Sequence, residues 1–166
     1  MRLGAVWVSV AAVFAALYAV GVIFLAPISF SVYQVRLADA LPPLSMIFGI
    51  PSVIGLSLGC VVSNVYGGLG LIDIVGGATA NFIASALAWY IARRRGITHR
   101  FLGATIETLV VTLIVGGYLW IILEVPLELG LFGVLVGSIV AINIVGFPIQ
   151  EVIRRSAAIK EIATRW

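Results

Sequence analysis

The apolar stretch from Tyr33 to Tyr90 carries Arg36, Asp39, Asn64, Asp73 and Asn81. Their types suit recognition better than turnover. A carboxylate accepts hydrogen bonds from ring or amino N–H groups, an asparagine amide both donates and accepts, and an arginine supplies a fixed fork of donors. The partners that nucleotide or metal-assisted chemistry needs do not stand beside them. Lys160 is the sole lysine and has no glycine-rich loop before it, so there is no Walker A motif. His99 is the sole histidine, which rules out a His-Glu-x-x-His zinc pair and suits a solvated loop residue. Cys60 is also alone, so one chain builds neither a disulfide nor a thiolate metal site, and between Gly59 and Val61 it reads as a packing residue. No catalytic residue, cofactor or metal ligand is expected; an enzyme would have to work with Asp39, Asp73 and Glu107.

The elements that must position these residues are membrane helices. The 166 residues are 62% hydrophobic and 10% charged, with a mean hydropathy of +1.20, more apolar surface than a soluble domain can hide. Several runs approach the ~20 residues that cross a hydrocarbon core. The expectation is therefore an all-α integral membrane protein, one transmembrane domain over residues 1–166, partnered by the lipid bilayer. The net charge of +3 comes from two basic clusters and reads as membrane orientation, not as nucleic-acid binding.

Taken in order, the first helix runs from about Gly4 to Ala26, too long an apolar run for a signal peptide. Ala11, Ala15 and Ala19 recur every four residues on it, and Ala12 and Ala16 do so one residue over. Such a smooth strip lets another helix approach closely, whether inside the chain or on a partner subunit. Pro27 ends the helix. Pro42 and Pro43 fit a helix start, and Gly49 and Pro51 break the next run, so Leu41 to Tyr66 is either one kinked span or two short helices. Leu71 to Ala92 follows, then Phe101 to Leu123 with Glu107 and Tyr118, an outer loop with Glu124 and Glu128, and Leu131 to about Ile153 with Ser138 and Asn143.

Charge orients the end of this array but does not count its helices. Arg93, Arg94, Arg95 and Arg100 share a side with Arg154, Arg155, Lys160 and Arg165, because two helices separate the groups. The positive-inside rule makes that side cytoplasmic. Five helices put Arg2 outside and Arg36 inside, and six exchange them, so parity stays open on charge alone.

Three ordered pieces settle more. Arg36-Leu37-Ala38-Asp39-Ala40-Leu41, then Ile50-Pro51 with Leu58-Gly59-Cys60-Val61-Val62-Ser63-Asn64, then Gly68-Leu69-Gly70-Leu71-Ile72-Asp73, resemble the QueT family. Its members are substrate-binding S components of energy-coupling factor (ECF) transporters, associated with queuosine precursors. The resemblance covers about Tyr33 to Tyr90, and the alanine strip of the first helix agrees with it. It implies six transmembrane helices in the S-component fold, with short second and third helices and both termini in the cytoplasm at the cell membrane. It also implies that an ECF transmembrane coupling protein and two ATPase subunits supply the energy, with Ala11, Ala15 and Ala19 as the docking strip. The chain departs from relatives at Asp39, where glutamate is usual, at Thr112, where many have asparagine, and at Ser138, where many have glutamate.

With the amino terminus inside, Arg36, Asp39, Asn64, Asp73, Tyr118 and Ser138 fall toward the outer ends of their helices. The expected substrate is a planar, polar deazaguanine-type base or another vitamin-like solute. Asp73 would accept its N–H groups, Asn64 would donate and accept, Tyr118 or Tyr33 would cover the ring, and the Ile28–Asp39 connection would close as a lid. The plain structural alternative is an Arg36–Asp39 pair one turn apart, with Asp73 reaching interfacial water. Outside the class, the rivals are a small membrane enzyme and a structural membrane subunit. Glu107 and Asn143 are the next places to look for a site.

Overall fold

The computed structural model describes residues 2–30, 36–94, 96–156 and 159. Among them helices α1 (Arg2–Phe24), α3 (Ile50–Gly67), α4 (Leu71–Ala92), α5 (Ile97–Leu123) and α6 (Leu127–Arg155) are each long and apolar enough to cross a membrane. Between α1 and α3 lies a shorter apolar segment, α2 (Leu37–Phe48).

Sequence explains why α2 is short and uneven. It consists of two 3-10 turns, Leu37–Ala40 and Pro42–Leu44, then one α turn, Ser45–Phe48. Pro42 and Pro43 lack the N–H that a continuous α ladder needs, and the tighter turns tolerate that loss. Gly49 then takes φ 67° and ψ −153°, a backbone region reserved for glycine, which reverses the chain without a loop. Pro51 falls in the first turn of α3, where its missing N–H has no partner to lose.

Packing fixes the number of passes. An ideal Cβ on Gly59 would lie 2.6 Å from the Ala15 carbonyl oxygen, and Gly55 abuts the Ala11 carbonyl in the same way. Both numbers rise together, so α1 and α3 run parallel. The segment joining two parallel neighbours must run back, which makes α2 a pass in its own right. From α3 onward neighbours are antiparallel: Asn64 meets Asp73, Gly103 meets Ala88, and Thr108 meets Asn143. Six passes result, five long and one short, with the start of α1 and the end of α6 on the same side.

Two apolar clusters hold the bundle. Phe14, Tyr18, Val22 and Leu56 pack with Ala38, Leu44 and Ile47 of α2, while Ala80, Ala84, Ala104, Val111, Val115, Leu119, Val134 and Ile142 join α4, α5 and α6. The outward faces carry Leu71, Leu113, Ile144 and Val152, as lipid requires.

Three expectations need correction here. The strip of Ala11, Ala15 and Ala19 is spent inside the chain: Ala11 and Ala19 are buried, and the α3 glycines sit against it. The exposed row is the one beside it, Ala12 and Ala16. Helix α5 begins at Ile97, one turn before Phe101, and so takes in Arg100. Helix α6 begins at Leu127, one turn before Leu131, so Glu128 lies in its first turn and not in a loop.

Candidate functional site

At the end of the bundle opposite Arg93, Arg94, Arg154 and Arg155, a buried polar network joins four helices. Arg36 precedes the first turn of α2, and its guanidinium is 4% exposed. Nε donates to the Ser29 carbonyl at 3.3 Å, Nη2 stands 3.7 Å from Asp73 Oδ1, and the group lies 5.3 Å from the Phe30 ring centroid. Asp73, in the first turn of α4, is fully buried. Its Oδ1 accepts from the Tyr118 hydroxyl at 2.8 Å, and its carbonyl accepts from Asn64 Nδ2 at 2.7 Å. Asp39 pairs elsewhere, accepting from the Tyr18 hydroxyl at 2.6 Å. The alternative reading, an Arg36–Asp39 pair, is not what forms: Arg36 stands beside Asp73, which is fully buried.

Glycines make room for this network. A Cβ at Gly77 would lie 2.5 Å from Asn64 Nδ2, and one at Gly76 would lie 2.5 Å from Tyr118 Cε1. One edge of the tyrosine ring therefore lies against Gly76, and its hydroxyl reaches Asp73.

Beside the network is a small cavity, about 10 Å³, lined by Tyr18, Arg36, Asp39, Gly77, Ala80, Asn81, Val111, Val115, Val134 and Ser138. That volume holds about one water molecule, so a planar ring enters only if the walls move apart. Two walls depart from regular α-helix. In α5 the residues Thr112–Gly116, and in α6 the residues Ile139–Gly146, form π-helical turns next to Val111, Val115 and Ser138. Such wide turns sit disproportionately at functional sites.

Of the residues read from sequence, Arg36, Asp39 and Ser138 line the cavity. Asn64, Asp73 and Tyr118 form the network attached to it through Arg36. Tyr33 lies outside the described residues, as does the middle of the Ile28–Asp39 connection. The structure adds Tyr18 and Asn81. Asn81 was visible as an amide in an apolar helix, and Tyr18 as the hydroxyl-bearing residue at the end of the alanine strip.

Three polar atoms of the network are buried with no hydrogen-bond partner among the described residues: Arg36 Nη2, Asn64 Oδ1 and Asp73 Oδ2. Buried polar groups are normally satisfied. One donor and two acceptors left over around a single ion pair have the makings of a ligand site.

The expectation that the sequence holds no Gly-x-Ser-x-Gly pattern needs correction, although the pattern proves structural. Gly55-Leu56-Ser57-Leu58-Gly59 has the Gly-x-Ser-x-Gly spacing of a nucleophile elbow, which requires a strand-to-helix turn. Here it lies mid-helix, the Ser57 hydroxyl donates to the Val53 carbonyl at 3.0 Å, and both glycines admit α1.

The model of the QueT transporter family matches residues 8–155. The chain belongs to the QueT transporter family. Comparison with curated proteins and with solved structures finds no match. The QueT match extends from α1 to the last turn of α6, so the whole bundle, and not the Tyr33–Tyr90 stretch alone, is that of a multi-pass membrane transporter.

Proposed function

We propose that this QueT-family chain is the substrate-binding S component of an ECF importer, and that it captures a queuosine precursor, a deazaguanine-type base, from outside the cell. The observation that carries the reading is the set of three unspent polar atoms on Arg36, Asn64 and Asp73. A planar base offers ring and amino N–H groups to the two acceptors and a carbonyl to the guanidinium. Asp39 and Ser138 border the same cavity, with Tyr18 and Asn81, while Tyr118 holds Asp73 and Tyr33 is the candidate for covering the ring.

Orientation follows from charge. The described arginines 93, 94, 154 and 155 gather at the end away from the cavity, which the positive-inside rule assigns to the cytoplasm. Both termini then lie inside and the site faces outward. ATP hydrolysis falls to two ATPase subunits, reached through a transmembrane coupling protein that docks on the exposed Ala12–Ala16 row of α1. Small residues there permit close helix approach. A large side chain at Ala12 should abolish co-purification with that protein and leave folding intact.

Titration of the purified chain with a deazaguanine-type base, followed by calorimetry, tests the substrate. Saturable one-to-one binding is expected, together with a co-purifying molecule of base-like ultraviolet absorption. No saturable binding to the folded chain would overturn the assignment.

A further inference from the structure

The basic end of the bundle holds more positive charge than the chain itself answers. Among the described residues Arg93, Arg94, Arg100, Arg154 and Arg155 gather there against one carboxylate, Glu151. That carboxylate is already spent: Arg100 engages both of its oxygens, and Arg154 Nη2 donates to Oε2 at 3.2 Å. Arg154 Nε is buried without a hydrogen-bond partner among the described residues, and Arg155 beside it is exposed. A guanidinium presents its donors as a planar fork that matches the oxygens of a phosphate. The surroundings select the kind of phosphate. Thr108 meets Asn143 and Arg100 meets Glu151, so α5 and α6 run antiparallel and Arg154 comes level with Ile97 at the start of α5. Deeper in the same groove, Phe101 of α5 meets Phe147 of α6 edge-on, with ring centroids 5.5 Å apart. Ile97 and Phe101 are both exposed. The α5–α6 groove is therefore cationic at its mouth and apolar below. A soluble anion uses only the first of these features.

We infer that the mouth of the α5–α6 groove binds an anionic phospholipid, its phosphate on Arg154 and Arg155 and an acyl chain along Ile97, Phe101 and Phe147. The orientation proposed above makes this a lipid of the inner leaflet. Basic pockets between transmembrane helices on the cytoplasmic side hold acidic headgroups in this manner. Arg93 and Arg94 share the same end of the bundle but not the groove. The Arg93 guanidinium is turned onto α4, 5.2 Å from the centroid of the Trp89 ring. These two arginines therefore supply an internal control: equal charge at the same depth, without the apolar track beneath it.

Two double variants with the same change in charge separate a built site from the general attraction of a basic surface: Arg154→Gln with Arg155→Gln, and Arg93→Gln with Arg94→Gln. Native mass spectrometry of the purified full chain, in detergent supplemented with phosphatidylglycerol or with phosphatidylcholine of equal chain length, reads the lipid retained. The wild type should keep phosphatidylglycerol saturably and lose phosphatidylcholine. The first double variant should bind phosphatidylglycerol about 30-fold more weakly, the combined scale of two arginines at a membrane surface. The second should stay within about threefold of the wild type, since exposed charges are largely screened at physiological salt. Equal losses in the two variants, or equal retention of the two lipids by the wild type, would overturn the inference. Retention of neither lipid overturns it as well, and points to an acidic protein segment as the occupant of these arginines. If the first double variant does not fold, Arg155→Gln, which leaves Arg154 on Glu151, is compared with Arg94→Gln. A loss of about fivefold is then expected for the former alone, and equal effects sink the site. None of these outcomes touches the solute site at the opposite end, which its own titration tests.

Discussion

The two ends of the bundle each carry a buried ion-pair cluster, and the two are built differently. At the basic end, Arg100 of α5 grips Glu151 of α6 with two donors, Nε on Oε1 and Nη2 on Oε2 at 3.1 Å, and Arg154 adds a third contact at 3.2 Å. Both carboxylate oxygens are taken. At the other end, Arg36 stands 3.7 Å from Asp73, beyond hydrogen-bond range, and Arg36 Nη2 and Asp73 Oδ2 each lack a partner. The first cluster is a fastener between two helices. The second keeps donors and acceptors in reserve at a cost to stability, as expected where a ligand is to complete the set. Spare acceptors are where the two clusters differ: Asn64 Oδ1 and Asp73 Oδ2 lack partners among the described residues, whereas both Glu151 oxygens are taken.

The sharpest way to break this contrast is Asp73→Asn. It keeps the shape but replaces an acceptor by a donor, and should weaken binding of a deazaguanine base by about 100-fold or more. The melting temperature in detergent should also fall, by roughly 6 °C or more, since the buried Arg36 guanidinium loses its counter-charge. Unchanged affinity in the folded variant would place the site elsewhere. Next in size, Arg100→Met leaves Glu151 half-partnered and should destabilise the chain by about 2 kcal/mol without changing affinity. Adding Glu151→Leu should recover most of that loss, because an apolar pair of similar volume can replace a buried ion pair. Loss of solute binding in the folded double variant would show that the fastener also serves the site. Smallest, Tyr18→Phe removes the donor to Asp39 and should cost roughly five- to tenfold in affinity, about 1 kcal/mol. An effect on melting alone would make Tyr18 part of the scaffold.

Much of this architecture was legible in the residues. The α4 boundaries, Leu71 and Ala92, follow from glycine before and arginines after. The starts of α5 and α6 were not, because Ile97-Thr98-His99-Arg100 and Leu127-Glu128-Leu129-Gly130 look like loop by polarity or brevity, yet each adds a turn ahead of a strongly apolar run. The six-pass answer came from the QueT resemblance and not from charge. Its physical reason, the parallel packing of α1 and α3 through Gly55 and Gly59, is a tertiary fact. For the candidate site, residue type drew attention to Arg36, Asp39, Asn64 and Asp73, which the structure gathers at one end of the bundle. What could not be read was pairing. Nothing in the chain between them says that Asp39 turns to Tyr18 and leaves Arg36 to Asp73. The alanine strip shows the same limit, since two parallel rows look alike until one is seen to face α3.

Segment α2 also constrains how the chain enters the bilayer during synthesis. Alone it is a poor candidate for lipid: short, broken by two prolines, and flanked or occupied by Arg36 and Asp39. A charged residue at a helix centre disfavours insertion by ~2.5–3.5 kcal/mol even on the lenient scale. What retains α2 is its neighbours. Tyr18 covers Asp39, and Gly21 lets Ala38 approach so closely that a Cβ there would stand 3.3 Å away. Both contacts come from α1, so α2 is expected to settle against α1 and not in lipid alone. Arg36 meets its counter-charge later still, when α4 delivers Asp73. The pocket therefore needs α4 in place before the Arg36 guanidinium has Asp73 beside it.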